Sequence, residues 1–283
     1  MLALTKVGSP GSGGSSRWND LRKRLISAGI LAPIVLVCIW AGGAPYALLL
    51  LGASAALAWE WVTMCGVSPV RWPGMLPVLA IIAGAGAAVV DQPLAGLAIL
   101  VAGAAVTAVL AGDAVHWRAL AVGVPYVGAG VIALLWLRDD ELTGLANLLF
   151  LLLLVWASDI GAYMTGRVLR GPKLAPRISP GKTWSGALGG LVAAILAAVA
   201  VARLSGQPGS FGWVVCIAAG LGIVAQAGDL LESLVKRHFG VKDSGALIPG
   251  HGGLLDRLDA LLIAAPVAAL LAFAAGRGVV LWK

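Results

Sequence analysis

Asp159, Asp229, Glu232, Asp256 and Asp259 stand in or at the ends of long apolar runs. An ionisable group at membrane depth costs about 3 kcal/mol even on a lenient insertion scale, so each of them needs a reason to be there. Asp229 with Glu232, and Asp256 with Asp259, are spaced i, i+3, which sets each pair on one helix face. Two carboxylates on one face repel unless a cation lies between them. Hard oxygen donors in this arrangement suit Mg2+, which is commonly held by one or two carboxylates together with substrate phosphates. The competing reading is local ion pairing: Glu232 with Lys236 at i+4, Asp243 with Lys242, and Asp256 with the neighbourhood of Arg257.

Two basic segments accompany these acids. Gly166 to Thr183 combines Arg167, Arg170, Lys173, Arg177 and Lys182 with Ser179, Thr183 and several glycines. Such a mixture wraps phosphate oxygens with backbone N–H groups and side-chain charge. Ser179, Lys182 and Thr183, beside the start of a helix, are the candidates for substrate contact, whereas Arg167 and Arg170 fit an ordinary basic loop equally well. Gly181-Lys182-Thr183 matches the end of a Walker loop. Pro176 stands where that loop's first glycine belongs, however, and no strand is expected before it. The second segment, Lys236 to Gly253, carries Lys236, Arg237, Lys242, Asp243, His251, Gly252 and Gly253 and reads as a polyanion site. His251, between glycines and ahead of the Asp256 helix, is expected to touch ligand; His116 and His238 read as structural or surface residues.

The elements that must position these residues follow from composition. Of 283 residues, 60% are hydrophobic and 12% charged, against about 25% charged in soluble domains. A soluble protein is excluded. Apolar runs place spans near 25–41, 44–64, 75–90, 93–111, 119–137, 143–164, 185–203, 211–232 and 256–275, most of them close to the roughly 20 residues a bilayer requires. Residues 1–20, rich in Gly and Ser, are expected to form a flexible cytoplasmic tail. Residues 21–283 are expected to form a single transmembrane catalytic domain, with N-terminal helices at about 25–137 and catalytic helices and loops at about 143–275. With the N-terminus inside, 16 of the 20 Lys and Arg residues fall on the cytoplasmic side, as the positive-inside rule demands. The expected fold class is therefore an all-α polytopic integral membrane protein with about nine transmembrane helices and a cytoplasmic N-terminus. The net charge of +7 reflects this topology and attraction to anionic lipid, and gives no reason to expect nucleic acid. Cys38, Cys65 and Cys216 are scattered through apolar runs and read as small buried hydrophobes.

The run Ser233-Leu-Val-Lys236-Arg237-His-Phe-Gly-Val-Lys242-Asp243-Ser-Gly245-Ala-Leu-Ile248-Pro249-Gly-His251-Gly252-Gly253-Leu-Leu-Asp256-Arg257-Leu-Asp259 resembles the signature of the phosphatidate cytidylyltransferases, or CDP-diacylglycerol synthases. Ser158-Asp159-Ile-Gly161-Ala162-Tyr163 with Gly166-Arg167, and Ser179-Pro180-Gly-Lys182-Thr183-Trp184, are similar to the same family. Ser185 stands where many members have Glu, and Ala260 where Ser is common. The resemblance implies transfer of a cytidylyl group from CTP to phosphatidate, releasing pyrophosphate and CDP-diacylglycerol, with Mg2+ and room for a second cation. It implies Asp229, Asp256 and Asp259 as metal ligands, and Lys236, Arg237, Lys242 and His251 with Asp229 and Asp256 as catalytic groups. It further implies substrate contacts from Asp159, Tyr163, Arg167, Ser179, Lys182, Thr183, Ser233, Asp243, Gly252, Gly253 and Arg257. CTP, phosphatidate, membrane lipids and a second copy of the chain are the implied partners, in the inner (plasma) membrane with the site facing the cytoplasm. The rival classes are another CTP-dependent lipid enzyme, such as a polyprenol-type lipid kinase, and an ion-coupled transporter. A transporter predicts acids near mid-bilayer in paired halves, whereas these gather at one face in the second half.

Overall fold

A backbone in lipid must satisfy its hydrogen bonds within itself, so each long apolar run folds as a helix. The computed structural model describes residues 13–111, 116–207, 209–248 and 250–283. Of the expected tail, residues 1–12 lie outside the described residues, and the chain is helical from Gly13. The elements are α1 (Gly13–Ala41), α2 (Gly43–Met64), α3 (Met75–Val89), α4 (Pro93–Leu110), α5 (Trp117–Asp139), α6 (Gly144–Leu169), β1 (Lys173–Ala175), β2 (Ser179–Thr183), α7 (Trp184–Leu204), α8 (Phe211–His238) and α9 (Leu255–Ala275). Among the described residues, seven of these helices are long and apolar enough to cross a membrane, while Ile26–Ala41 and Met75–Val89 are shorter apolar helices. The all-α polytopic class stands, with helix positions close to the apolar runs.

Contacts between chain segments sort the helix ends into two groups. At one end, Trp61 Nε1 donates to Ala119 O (2.9 Å), Leu254 N donates to Glu60, and Arg237 Nε donates to Ile178 O (3.3 Å). At the other, Arg138 caps the last carbonyls of α1, donating to Ile39 O (2.8 Å) and Trp40 O (3.0 Å), while Trp282 Nε1 donates to Gln207 O (3.1 Å). Helix α5 runs through the middle, burying Leu120, Val124, Val127, Val131 and Leu134 against its neighbours.

Helices α6 and α7 approach through small residues, which let backbones meet closely in a membrane bundle. A Cβ on Gly190 would lie 2.7 Å from Ser158 O, and one on Gly186 would lie 2.9 Å from Ala162 O. This seam brings the Asp159 turn of α6 beside the Lys182–Thr183 start of α7. The segment expected as an irregular loop before α7 contains a short antiparallel hairpin, with Lys173 opposite Thr183 and Ala175 opposite Ser179. Its Gly, Pro and Lys content hid the strand pairing, because those residues signal turns when read singly.

The last residues close the opposite end. Val280, Leu281 and Trp282 are buried, and Trp282 stacks on Phe150 with ring centroids 4.6 Å apart. Gly278 N donates to Asp140 Oδ2 (2.8 Å) and Leu281 N to Asn147 Oδ1 (2.9 Å).

Candidate active site

Helices α6, α7 and α8 and the hairpin enclose a cavity of about 510 Å³ at the end bearing the basic segments. Asp159, Tyr163 and Arg167, on successive turns of α6, line one wall; Lys182 and Thr183 enter from the hairpin, and Asp229 from α8. Lys182 Nζ lies 2.5 Å from Asp229 Oδ2. Arg167 donates to Tyr163 Oη (2.9 Å) and lies over its ring. Thr183 caps α7, its hydroxyl accepting from Gly186 N (3.1 Å) and sharing a hydrogen bond with Ser185 Oγ. Ser185 Oγ in turn donates to Arg170 O, so the residue that differs from the usual Glu ties the hairpin base to the end of α6. Gln226 had no spacing signal in the sequence. It donates to Ala187 O (3.0 Å) and Ser158 Oγ (3.3 Å), joining α6, α7 and α8 behind the cavity.

The signature segment builds an adjoining cluster. Lys236 Nζ lies 2.5 Å from Glu232 Oε2, the expected i, i+4 pair, and 2.8 Å from Asp256 Oδ1. Asp256 also accepts from Ser244 N (3.1 Å to Oδ1 and 3.0 Å to Oδ2) and from Gly253 N (3.0 Å). Its partners are thus Lys236 and the loop backbone, with Arg257 turned instead to His251 O (3.1 Å). His251 Nδ1 is 3.0 Å from Ser27 Oγ on α1. Asp259 accepts from Ala260 N (2.7 Å) and lies within electrostatic reach of Asp229, Glu232 and Asp159. It therefore connects the cavity acids to the signature cluster. Ser233 and Ser179 are half-buried, and Lys242 and Asp243 are exposed on the loop. Gly252 adopts φ +83°, a conformation open to glycine, and a Cβ on Gly253 would collide with Ser244 Oγ.

Among the described residues, no three His, Cys, Asp or Glu side chains are gathered in metal-ligating geometry. The donor set still fits a divalent ion. Carboxylates from α6, α8 and α9 lie within electrostatic reach of one another, and three of them already hold a lysine ammonium, Lys182 on Asp229 and Lys236 on Glu232 and Asp256. Mg2+ takes most of its remaining ligands from water and phosphate, so a preassembled trio is not required.

Cations, acids and a cavity thus gather at one end of the helical bundle. Residues 22–275 match the model of the Cytidylyltransferase family. The chain belongs to that family. The phosphatidate cytidylyltransferase of Brucella suis is 41% identical over 252 residues, covering 87% of this chain and 91% of that protein. Those of Pseudomonas aeruginosa and Bacillus subtilis are 37% identical over 271 residues (91% and 99% covered) and 30% over 259 (87% and 96%). Family membership thus spans the N-terminal helices as well as the signature region. The N-terminal half contributes a residue that motif reading missed: Glu60 of α2, 4% exposed, accepts from Leu254 N (2.9 Å) and Leu255 N (2.8 Å) at the start of α9.

Proposed function

We propose that the chain transfers the cytidylyl group of CTP to phosphatidate, at the cytoplasmic face of the inner (plasma) membrane and with Mg2+. The observation that carries this reading is the cavity of a cytidylyltransferase-family bundle, where Lys182 and Arg167 stand with Asp159 and Asp229 beside the Lys236–Asp256 cluster. A phosphate oxygen of phosphatidate attacks the α-phosphorus of CTP. The new P–O bond forms as the bond to the bridging oxygen breaks, and that electron pair leaves with pyrophosphate. The second ionisation of a phosphate monoester lies near ~6, so the nucleophile is already charged at neutral pH. No side chain needs to remove a proton.

The work left to the chain is to bring two polyanions together. Lys182, Arg167 and Arg237 neutralise phosphate oxygens, Lys242 extends this charge to the loop rim, and Lys236 stabilises the charge growing on the leaving pyrophosphate. Asp229, Asp256 and Asp259, with Asp159, supply the hard oxygen donors that would hold Mg2+, which when bound screens the phosphates and aligns them. Apolar side chains exposed on the outer faces of α6 and α7, such as Ile160, Leu188 and Val192, leave room for acyl chains to stay in the bilayer. The orientation rests on the 16 of 20 basic residues assigned to the end that carries the site.

The test is purified protein given CTP, Mg2+ and phosphatidate. CDP-diacylglycerol and pyrophosphate should appear in equal amounts and cease on chelation of the metal. Solute accumulation in proteoliposomes without CTP would instead favour a transporter.

A further inference from the structure

Helix α9 begins without a cap of its own. Its N-cap position is Leu254, which has no side-chain acceptor. The two amides at its start are nevertheless satisfied, because Glu60 of α2, distant in sequence, accepts from Leu254 N (2.9 Å) and Leu255 N (2.8 Å). The same carboxylate accepts from Ser244 Oγ (3.4 Å), and Ser244 N donates to Asp256. A carboxylate here also meets the positive end of the α9 dipole. The loop is shaped around it: a Cβ on Gly245 would meet Glu60 and nothing else nearer, at 2.7 Å from Oε1 and 3.0 Å from Cδ and Cγ. Gly245 has no left-handed φ, so close approach to Glu60, not backbone conformation, is what a side chain there would meet.

The geometry points to Glu60 as a positioning residue of the active site: an N-cap supplied to α9 from α2, which fixes the signature loop and thereby the direction of the Asp256 carboxylate. It does not touch the reacting groups; it acts through Ser244 and the first turn of α9. This assignment rests on the cytidylyltransferase reading for its kinetic consequence, and on the hydrogen bonds alone for its structural one.

Two measurements on full-length protein in detergent test it. In Glu60→Ala, the amides of Leu254 and Leu255 should lose hydrogen-exchange protection while those of the α6 core, Leu148 to Val155, keep theirs. In the CTP assay kcat should fall about 10- to 100-fold, as it does for outer-shell partners elsewhere, with KM for phosphatidate changed less than about twofold. Glu60→Gln keeps the volume and one acceptor and should recover part of the loss; it also carries the test if the alanine variant does not fold. The second measurement is a double-mutant cycle with Gly245→Ala. That substitution should reduce activity in the wild-type background and cost much less beside Glu60→Ala. Equal cost in both backgrounds, unchanged exchange at Leu254 and Leu255, or full activity of both Glu60 variants would overturn the assignment. A wild-type protein without CTP-dependent activity, but with exchange at Leu254 and Leu255 responding as stated, would sink the enzymatic reading and leave the clamp intact.

Discussion

Lys182 and Asp229 meet at 2.5 Å with 28% and 31% of their side chains exposed, whereas Lys236 and Asp256 meet at 2.8 Å with 14% and 10% exposed. This difference separates what each pair does for activity from what it does for stability. A pair with less than a third of its side chains in solvent lies between the surface and buried cases, so Asp229→Asn and Lys182→Ala should lower the melting temperature less than Asp256→Asn does. Their kcat should fall by about 10²- to 10³-fold, the usual cost of losing one preorganised charge. Asp256→Asn should also abolish most activity but lower stability more, because it weakens a pair only 10–14% exposed and a carboxylate that accepts from Ser244 N and Gly253 N; melting curves and initial rates on the same preparations distinguish the two patterns. The acids of α8 and α9 were legible in the sequence because their i, i+3 spacing and apolar surroundings are a local signal. Glu60 was not, since a single Glu between Trp59 and Trp61 has no spacing partner and its ligands lie 194 residues away. Its one visible mark, a charge inside an apolar run, is shared with residues that merely pair.

At the level of elements, the hairpin and the C-terminal segment were the parts that sequence did not disclose. Hairpin pairing over three- and five-residue strands carries too little periodicity to stand out from a basic loop. The C-terminal segment docks through groups contributed by the α5–α6 turn. Asp140 accepts from Leu142 N, Thr143 N, Thr143 Oγ1 and Gly278 N. Burial opposes ionisation of this carboxyl, but those hydrogen bonds together outweigh it and hold Asp140 below the ordinary carboxylate range. A depressed folded pKa stabilises the protein above the unfolded value of about 3.9, and the contribution is lost as pH falls from there through the folded value. Asp140→Asn should therefore melt at lower temperature at pH 7, and its deficit relative to wild type should shrink in that acid window. The α6–α7 seam makes a second claim at this scale: Gly190→Leu should force the helices apart and lower the melting temperature, since overpacking costs about 1–3 kcal/mol.

For the whole molecule, the sequence was most informative about the order and approximate positions of the helices, because bilayer thickness converts directly into apolar run length; two of the nine expected spans are the shorter apolar helices Ile26–Ala41 and Met75–Val89. Which helices neighbour one another was not legible, since Ala- and Leu-rich faces are nearly interchangeable and the seams depend on particular glycines. The orientation yields its own prediction. Cysteine placed at exposed Lys242, in a chain lacking Cys38, Cys65 and Cys216, should react with a membrane-impermeant maleimide in inverted vesicles and not in right-side-out spheroplasts. The central claim, that one site joins CTP to a lipid phosphate by attack at the α-phosphorus, is tested most directly by the position of the transferred phosphorus. With phosphatidate and CTP labelled at the α-phosphate, label should enter the lipid fraction, and with γ-labelled CTP it should leave entirely as pyrophosphate. Label from the γ-position in the lipid would mean that the bundle is a kinase and would contradict the account.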